Sequence, residues 1–271
     1  MSTLIFVKLG GSLLTDKNQA ASPRDEKIRQ CAREIADALR ARPDLQILLA
    51  HGSGSFGHVA AVQSRFGSGA VTGYAETGAA AARLNRIVAD LCLAEGLQVV
   101  SLQPSASAVC DEGRLVALAT RPLELALANG LTPLLFGDVA FDLKRGCVIV
   151  STELLFDYLA RRLQPARIIL AGQVNGVFSA DPLRDPSAQR IPLITPASFP
   201  AVRDRLGGSH GVDVTGGMLS KVELMVTLAQ ALPEVRIQII SGETGGVLRR
   251  CLLRDDDEEG TVIAGNRTAA E

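Results

Sequence analysis

Tryptophan is absent from the 271 residues, tyrosine occurs twice, and aromatic residues make up 4% of the chain. Aromatic platforms on which nucleic-acid bases could stack are therefore not expected. An excess of either charge is missing too: 28 basic residues face 29 acidic ones, the formal net charge is -1 and the pI is about 6.3. A nucleic-acid binder needs a basic face to displace counterions from phosphates, and this balance argues against one. No CxxC pair exists. The five cysteines (Cys31, Cys92, Cys110, Cys147 and Cys251) are dispersed and odd in number, which fits buried, reduced thiols better than a disulfide framework or a zinc site. No apolar run approaches the roughly 20 residues that span a bilayer. The opening run Leu4–Val7 is short and meets Lys8, so it reads as a strand and not as an export signal. A soluble, cytoplasmic protein without membrane or nucleic-acid partners is expected.

What the chain has instead is a high apolar content, 47%, ordered in two periods. Near-continuous Ile, Leu and Val at Leu4–Val7, Gln46–Ala50, Val99–Leu102, Thr132–Phe136, Arg167–Leu170 and Arg236–Ile240 predict strands covered on both faces, as in a parallel sheet. Longer helical stretches lie between them. Ser22, Pro23, Asp25 and Glu26 read as a cap, a first-position proline and first-turn acids, and Cys31, Ile35 and Leu39 then recur along one face. Tyr74–Leu93, Thr152–Leu163 and Met218–Leu232 are further helices, and Gly113 and Gly146 mark hairpin turns. This pattern predicts an α/β fold, a three-layer αβα sandwich with a mostly parallel central sheet. A soft boundary falls near Gln164–Pro165. The stretch Asp181–Pro200, with five prolines, reads as a surface excursion, and the acidic run Asp255–Glu259 as a solvated turn.

Three glycine-rich segments follow strands or open helices. Lys8-Leu9-Gly10-Gly11-Ser12 comes directly after the first strand, where glycines let backbone N–H groups approach a phosphate. Its spacing is not that of GxxxxGK[ST], and Lys17 follows a few residues on. His51-Gly52-Ser53-Gly54-Ser55-Phe56-Gly57-His58 comes after the second strand, an anion site built from backbone donors at a helix start. His58 is the candidate ligand there, while His51, at the strand end, is expected to act from behind the loop. Asp213-Val214-Thr215-Gly216-Gly217 opens the last long helix, with Lys221 one turn on. Transfer of a phosphoryl group develops charge on both the leaving and transferred oxygens and calls for several fixed cations.

These residues, together with Gly137-Asp138-Val139-Ala140-Phe141-Asp142, resemble the amino acid kinase superfamily and, within it, the isopentenyl phosphate kinases. The resemblance covers almost the whole chain, and Ser55-Phe56-Gly57-His58 is its most specific part. It implies that residues 1–165 bind the acceptor and residues 166–271 bind ATP, on one continuous sheet. It implies ATP contacts at Lys8, Gly10, Gly11 and Ser12, and at Gly54, Gln173, Gly217 and Lys221. Lys17 would stabilise the phosphoryl group in transfer, while Ser53, Gly54, His58 and Thr152 would hold the acceptor phosphate. Lys8, Lys17, His58 and Lys221 form the implied catalytic set. Mg2+ is implied as cofactor with ATP, without metal-ligating side chains, in a homodimer. The implied reaction converts isopentenyl phosphate to isopentenyl diphosphate for isoprenoid biosynthesis. A kinase of another phosphorus acid such as fosfomycin, and a non-catalytic binding protein on the same fold, remain as alternatives. The chain departs from the family pattern twice: Ser151-Thr152-Glu153 stands where relatives tend to show Ser-Gly-Asp, and Gln173-Val174-Asn175-Gly176 where they show Asp-Val-Asp-Gly. Both departures read as lost acids.

Overall fold

The fold was analysed in a computed structural model that describes residues 2–16, 19, 21–69, 71–206, 217–255 and 259–265. Its centre is an eight-stranded sheet. From one edge to the other run Leu193–Ile194, Thr261–Ile263, Arg236–Ser241, Arg167–Gly172, Thr3–Leu9, Leu45–His51, Thr132–Phe136 and Val99–Ser101. The last six are mutually parallel and are the six apolar runs of the sequence. Thr3–Leu9 shows why they are so apolar. Ile5, Val7 and Leu9 join one hydrophobic core and Phe6 the other, because successive side chains of a strand point to opposite faces.

Each face is covered by helices. Asp25–Ala41, Tyr74–Ala94 and Val247–Leu253 pack on one side, while Arg121–Ala128, Thr152–Leu163 and Gly217–Ala231 pack on the other. The expected αβα sandwich is thus observed. A separate four-stranded sheet joins two hairpins, Val109–Asp111 with Arg114–Ala117 and Asp138–Asp142 with Gly146–Val150. Their turns are made by Gly113 and Gly146, at φ 83° and 82°, a backbone region that glycine enters without a Cβ clash. Asp142 ties both turns by accepting from the N–H groups of Glu112, Gly113, Lys144 and Arg145.

Two sequence expectations are corrected. Ser22 and Pro23 do not start a helix: Pro23 bridges Thr15, Asp16 N–H donates to Ser22, and the helix begins at Asp25 behind Arg24. Pairing with the preceding segment holds these residues extended. The proline-rich excursion is not wholly a surface feature, since Leu193–Ile194 joins the sheet edge and buries Ile194. The described ends of the acidic run fit the expected solvated turn, with Asp255 exposed, and they carry ion pairs. Asp255 pairs with Arg42 and with the buried Arg167, and Glu259 pairs with Arg250. All five cysteines are free and buried, as expected. Among the described residues no helix is long and apolar enough to cross a membrane.

Candidate active site

The six parallel strands deliver their carboxyl ends to one edge of the sheet, where open α/β sheets place ligands. The first strand lies between Leu45–His51, which follows it in sequence, and Arg167–Gly172, which comes much later. The strand order therefore changes direction at the first strand, the kind of position where open α/β sheets bind ligands. Gly10 and Gly11, Gly52 to Gly54, Gly137, and Gly172 with Gln173 all sit on this edge.

The first two glycine loops touch backbone to backbone. A Cβ on Gly52 would come within 2.8 Å of the Gly11 nitrogen, and one on Gly11 would collide with the backbone of Gly54. Gly54, at φ 51°, faces Thr15 in the same way. Thr15 links the two loops: its hydroxyl donates to the Gly11 carbonyl (2.9 Å) and accepts from the Ser55 N–H (3.0 Å). Side chains are excluded here, so the surface of the cradle is main chain, which suits close approach of a phosphate. The Ser55 hydroxyl is buried and, among the described residues, has no hydrogen-bond partner.

Charge converges on the same edge. Lys8 is buried, and its Nζ donates to Oε1 of the buried Glu153, in the first turn of Thr152–Leu163. Burial alone would push the Glu153 carboxyl up, but the charges of Lys8 and Lys221 and the Lys8 hydrogen bond outweigh it and hold the group below its ordinary range. One carboxylate thus feels the charge of two lysines from opposite ends of the chain. The sequence reading counted position 153 as a lost acid; the structure corrects this. Glutamate keeps the carboxylate, and that retained charge was the signal available in the sequence.

Of the other sequence-predicted residues, Ser12 lies within Gly11–Leu14 and Gly217 opens Gly217–Ala231 at φ 64° with Lys221 one turn on. Ser53 caps Gly54–Gln63, and His58 on that helix is exposed. Thr152 is buried and its hydroxyl donates to the His51 carbonyl (2.9 Å), so it ties the start of its helix to the end of the second strand. Gln173 and Asn175 line a cavity of about 460 Å³ with Ser241, Glu243, Arg250 and Glu259. Asn175 donates to Glu259 and accepts from Ser241 N–H, bonds that an aspartate at 175 could not all make beside a glutamate. Lys17 and residues 213–216 lie outside the described residues. Sequence reasoning missed Thr15, whose bond to the Ser55 N–H exists only once the two loops are folded together.

This combination of fold and site defines a class: an αβα sandwich whose strand-end glycine loops interlock and whose buried carboxylate answers two lysines. The chain belongs to the amino acid kinase family, whose sequence profile matches residues 3–241. Within it, the chain is 33% identical, over 97% of its length and 99% of the relative's, to isopentenyl phosphate kinase of Methanothermobacter thermautotrophicus. X-ray structures of isopentenyl phosphate kinase superpose with a TM-score of 0.79 at 30% identity, covering 96% of this chain and all of that one. Carbamate kinase from Giardia lamblia bound to AMP-PNP shares the fold, with a TM-score of 0.72 at 13% identity over 98% of this chain and 99% of that one.

Proposed function

We propose that this chain transfers the γ-phosphoryl group of ATP to isopentenyl phosphate, giving isopentenyl diphosphate and ADP for isoprenoid biosynthesis. The observation that carries the reading is the Lys8–Glu153–Lys221 cluster beside the backbone cradle of the first two glycine loops. Relatives at about one-third identity along the whole chain bear that enzyme's name.

An oxygen of the acceptor phosphate attacks the γ-phosphorus, the bond to the bridging oxygen of ADP breaks, and its electron pair leaves with ADP. That acceptor oxygen is ionised near neutral pH, so no general base is required and the work is positioning and charge neutralisation. Lys8 and Lys221 hold the nucleotide phosphates, with Glu153 fixing the direction of both ammonium groups. Gly10, Gly11, Ser12, Gly54, Gln173 and Gly217 complete the nucleotide side. His58, Ser53 and Gly54 hold the acceptor phosphate, and Lys17 serves the group in transfer. Among the described residues no cluster of three His, Cys, Asp or Glu side chains could hold a metal. Mg2+ would be carried on the nucleotide's phosphates, the usual arrangement for this hard, reluctantly dehydrated cation, and would neutralise phosphate charge there. The acceptor half is residues 1–165 and the nucleotide half residues 166–271. The protein works in the cytoplasm as a homodimer.

The test is ADP release, with ATP and magnesium, in the presence of four acceptors. Isopentenyl phosphate and dimethylallyl phosphate are expected to turn over well. Methyl phosphate lacks the tail, whose burial contributes roughly 0.8 kcal/mol per methylene, and is expected to be poor, as is fosfomycin. A preference for fosfomycin would reassign the enzyme, and release of ADP without dependence on any acceptor would remove the reading.

A further inference from the structure

Behind the second glycine loop, His51 is fully buried and bonded on both ring nitrogens. Nδ1 lies 3.0 Å from the Gly52 carbonyl oxygen, and Nε2 lies 3.1 Å from Nδ2 of Asn85. A carbonyl can only accept, so Nδ1 carries the proton. A neutral ring then has a bare Nε2, which accepts from the Asn85 amide, and Oδ1 of Asn85 in turn accepts from the Ser101 hydroxyl. The opposite amide orientation would need a proton on both ring nitrogens, an imidazolium buried without a counter-charge and beside the Lys8 ammonium. Burial, with Lys8 adding to it and only the Gly52 bond opposing, pushes the imidazole down to about 4. The ring also stacks on Phe136 at 5.8 Å and 14°. The His51 carbonyl is held as firmly, by the N–H of Gly137 (2.9 Å) and the hydroxyl of Thr152 (2.9 Å).

The consequence lies one peptide further on. In a trans peptide the C=O of Gly52 and the N–H of Ser53 point in opposite directions. Capturing the Gly52 oxygen on the buried side therefore turns the Ser53 N–H away from the ring. A glycine in a loop is otherwise free to flip its peptide, and a carbonyl turned outward would repel a phosphate.

We propose that His51 is a positioning residue: the chain Ser101–Asn85–His51 locks the Gly52–Ser53 peptide so that the Ser53 N–H faces the acceptor's phosphate. This rests on the functional reading above for the identity of the anion. It assigns to the buried histidine of the loop the role of setting acceptor affinity, while His58 touches the acceptor itself.

Two measurements test it. The first uses the parent protein: nitrogen-15 shifts of the His51 imidazole should show a protonated Nδ1 and a bare Nε2 at neutral pH. A protonated Nε2, alone or with Nδ1, overturns the proposal. The second compares His51→Phe, Asn85→Leu and His51→Asn by calorimetric binding of isopentenyl phosphate without nucleotide, and by steady-state kinetics. His51→Phe keeps the stacking bulk but loses both nitrogens. It and Asn85→Leu should raise acceptor Kd and KM about tenfold, the scale of one hydrogen bond to a peptide, with the KM for ATP within about twofold. His51→Asn, whose amide can still donate to the Gly52 oxygen, should recover most of the affinity. Unchanged acceptor binding in folded His51→Phe, or equal loss for ATP and acceptor, overturns the proposal. A parent protein that binds no isopentenyl phosphate would instead remove the functional reading, and the nitrogen shifts would still decide the tautomer.

Discussion

Position 153 shows how much of the site depends on single atoms. Lys8 and Glu153 are both buried, and Glu153 also feels the charge of Lys221. Replacing it by glutamine leaves Lys8 without a counter-charge in a low-dielectric site. Loss of one partner from a buried pair costs roughly 3–5 kcal/mol, so Glu153→Gln should lower the unfolding midpoint. Because the lysines would no longer be held in place, kcat should fall by about two orders of magnitude, the scale of one lost electrostatic contact in phosphoryl or acyl transfer. Glu153→Asp keeps the charge and should retain far more activity; equal kinetics for the two variants would show that the carboxylate does not orient the lysines. His58 offers the contrasting case, because it is exposed. His58→Ala should leave the unfolding midpoint within error of the parent. It should raise the acceptor KM by a factor equivalent to roughly 1.5–3 kcal/mol, as for a hydrogen bond to a charged oxygen. An unchanged acceptor KM would make His58 a surface residue.

Between elements, the structure joins parts of the chain that no local pattern connects. Glu34, on Asp25–Ala41, is buried and accepts from the N–H groups of Gly246 (2.8 Å) and Arg249 (3.0 Å), at the start of Val247–Leu253. These are donors that a helix start leaves without an intrahelical partner. The first of these helices is also joined to the loop after Arg236–Ser241, by Arg24 just before its start and by Lys27 in its first turn, which reach Glu243. Glu34→Ala strands buried donors and should destabilise the protein by roughly 1–3 kcal/mol, read as a lower urea midpoint with little change in acceptor KM. Glu34→Gln keeps one acceptor oxygen and should lose less. A midpoint unmoved by the alanine would show that water replaces the carboxylate.

For the molecule as a whole, the buried His51 makes stability depend on pH in a predictable direction. Its folded pKa of about 4 lies below its ordinary 6.5. Between those values the unfolded chain binds a proton that the native protein does not. The contribution is therefore complete above pH 6.5 and is lost as the pH falls toward 4, at a slope of up to roughly 1.4 kcal/mol per pH unit. Glu153, held low, adds a loss at still more acid pH, whereas Asp138, raised by burial, acts in the opposite sense. Urea unfolding at pH 7, 6 and 5 should show a steeper decline for the parent than for His51→Asn. Parallel curves would show that His51 does not titrate as a buried neutral ring.

The sequence by itself determined the parallel sheet and the location of the chemistry. A strand buried on both faces has to be apolar throughout, and the six runs so marked are the six contiguous parallel strands. Glycines after those strands mark places where a side chain would collide, as Gly11 and Gly52 do. What only tertiary structure decided is whatever depends on a distant partner. Leu193–Ile194 and Thr261–Ile263 are too short to carry a period and are strands because the sheet edge pairs with them. Ser22 and Pro23 carry strong helix-start chemistry, yet Thr15 holds them extended. Glu153 looks like a lost aspartate until Lys8 is folded against it, and the partner of His51 Nε2 is Asn85, itself bonded to Ser101, residues on another helix and strand. Local patterns record burial and backbone strain at one position, whereas a proton's place or a charge's partner is a property of two positions and exists only once the chain has brought them together.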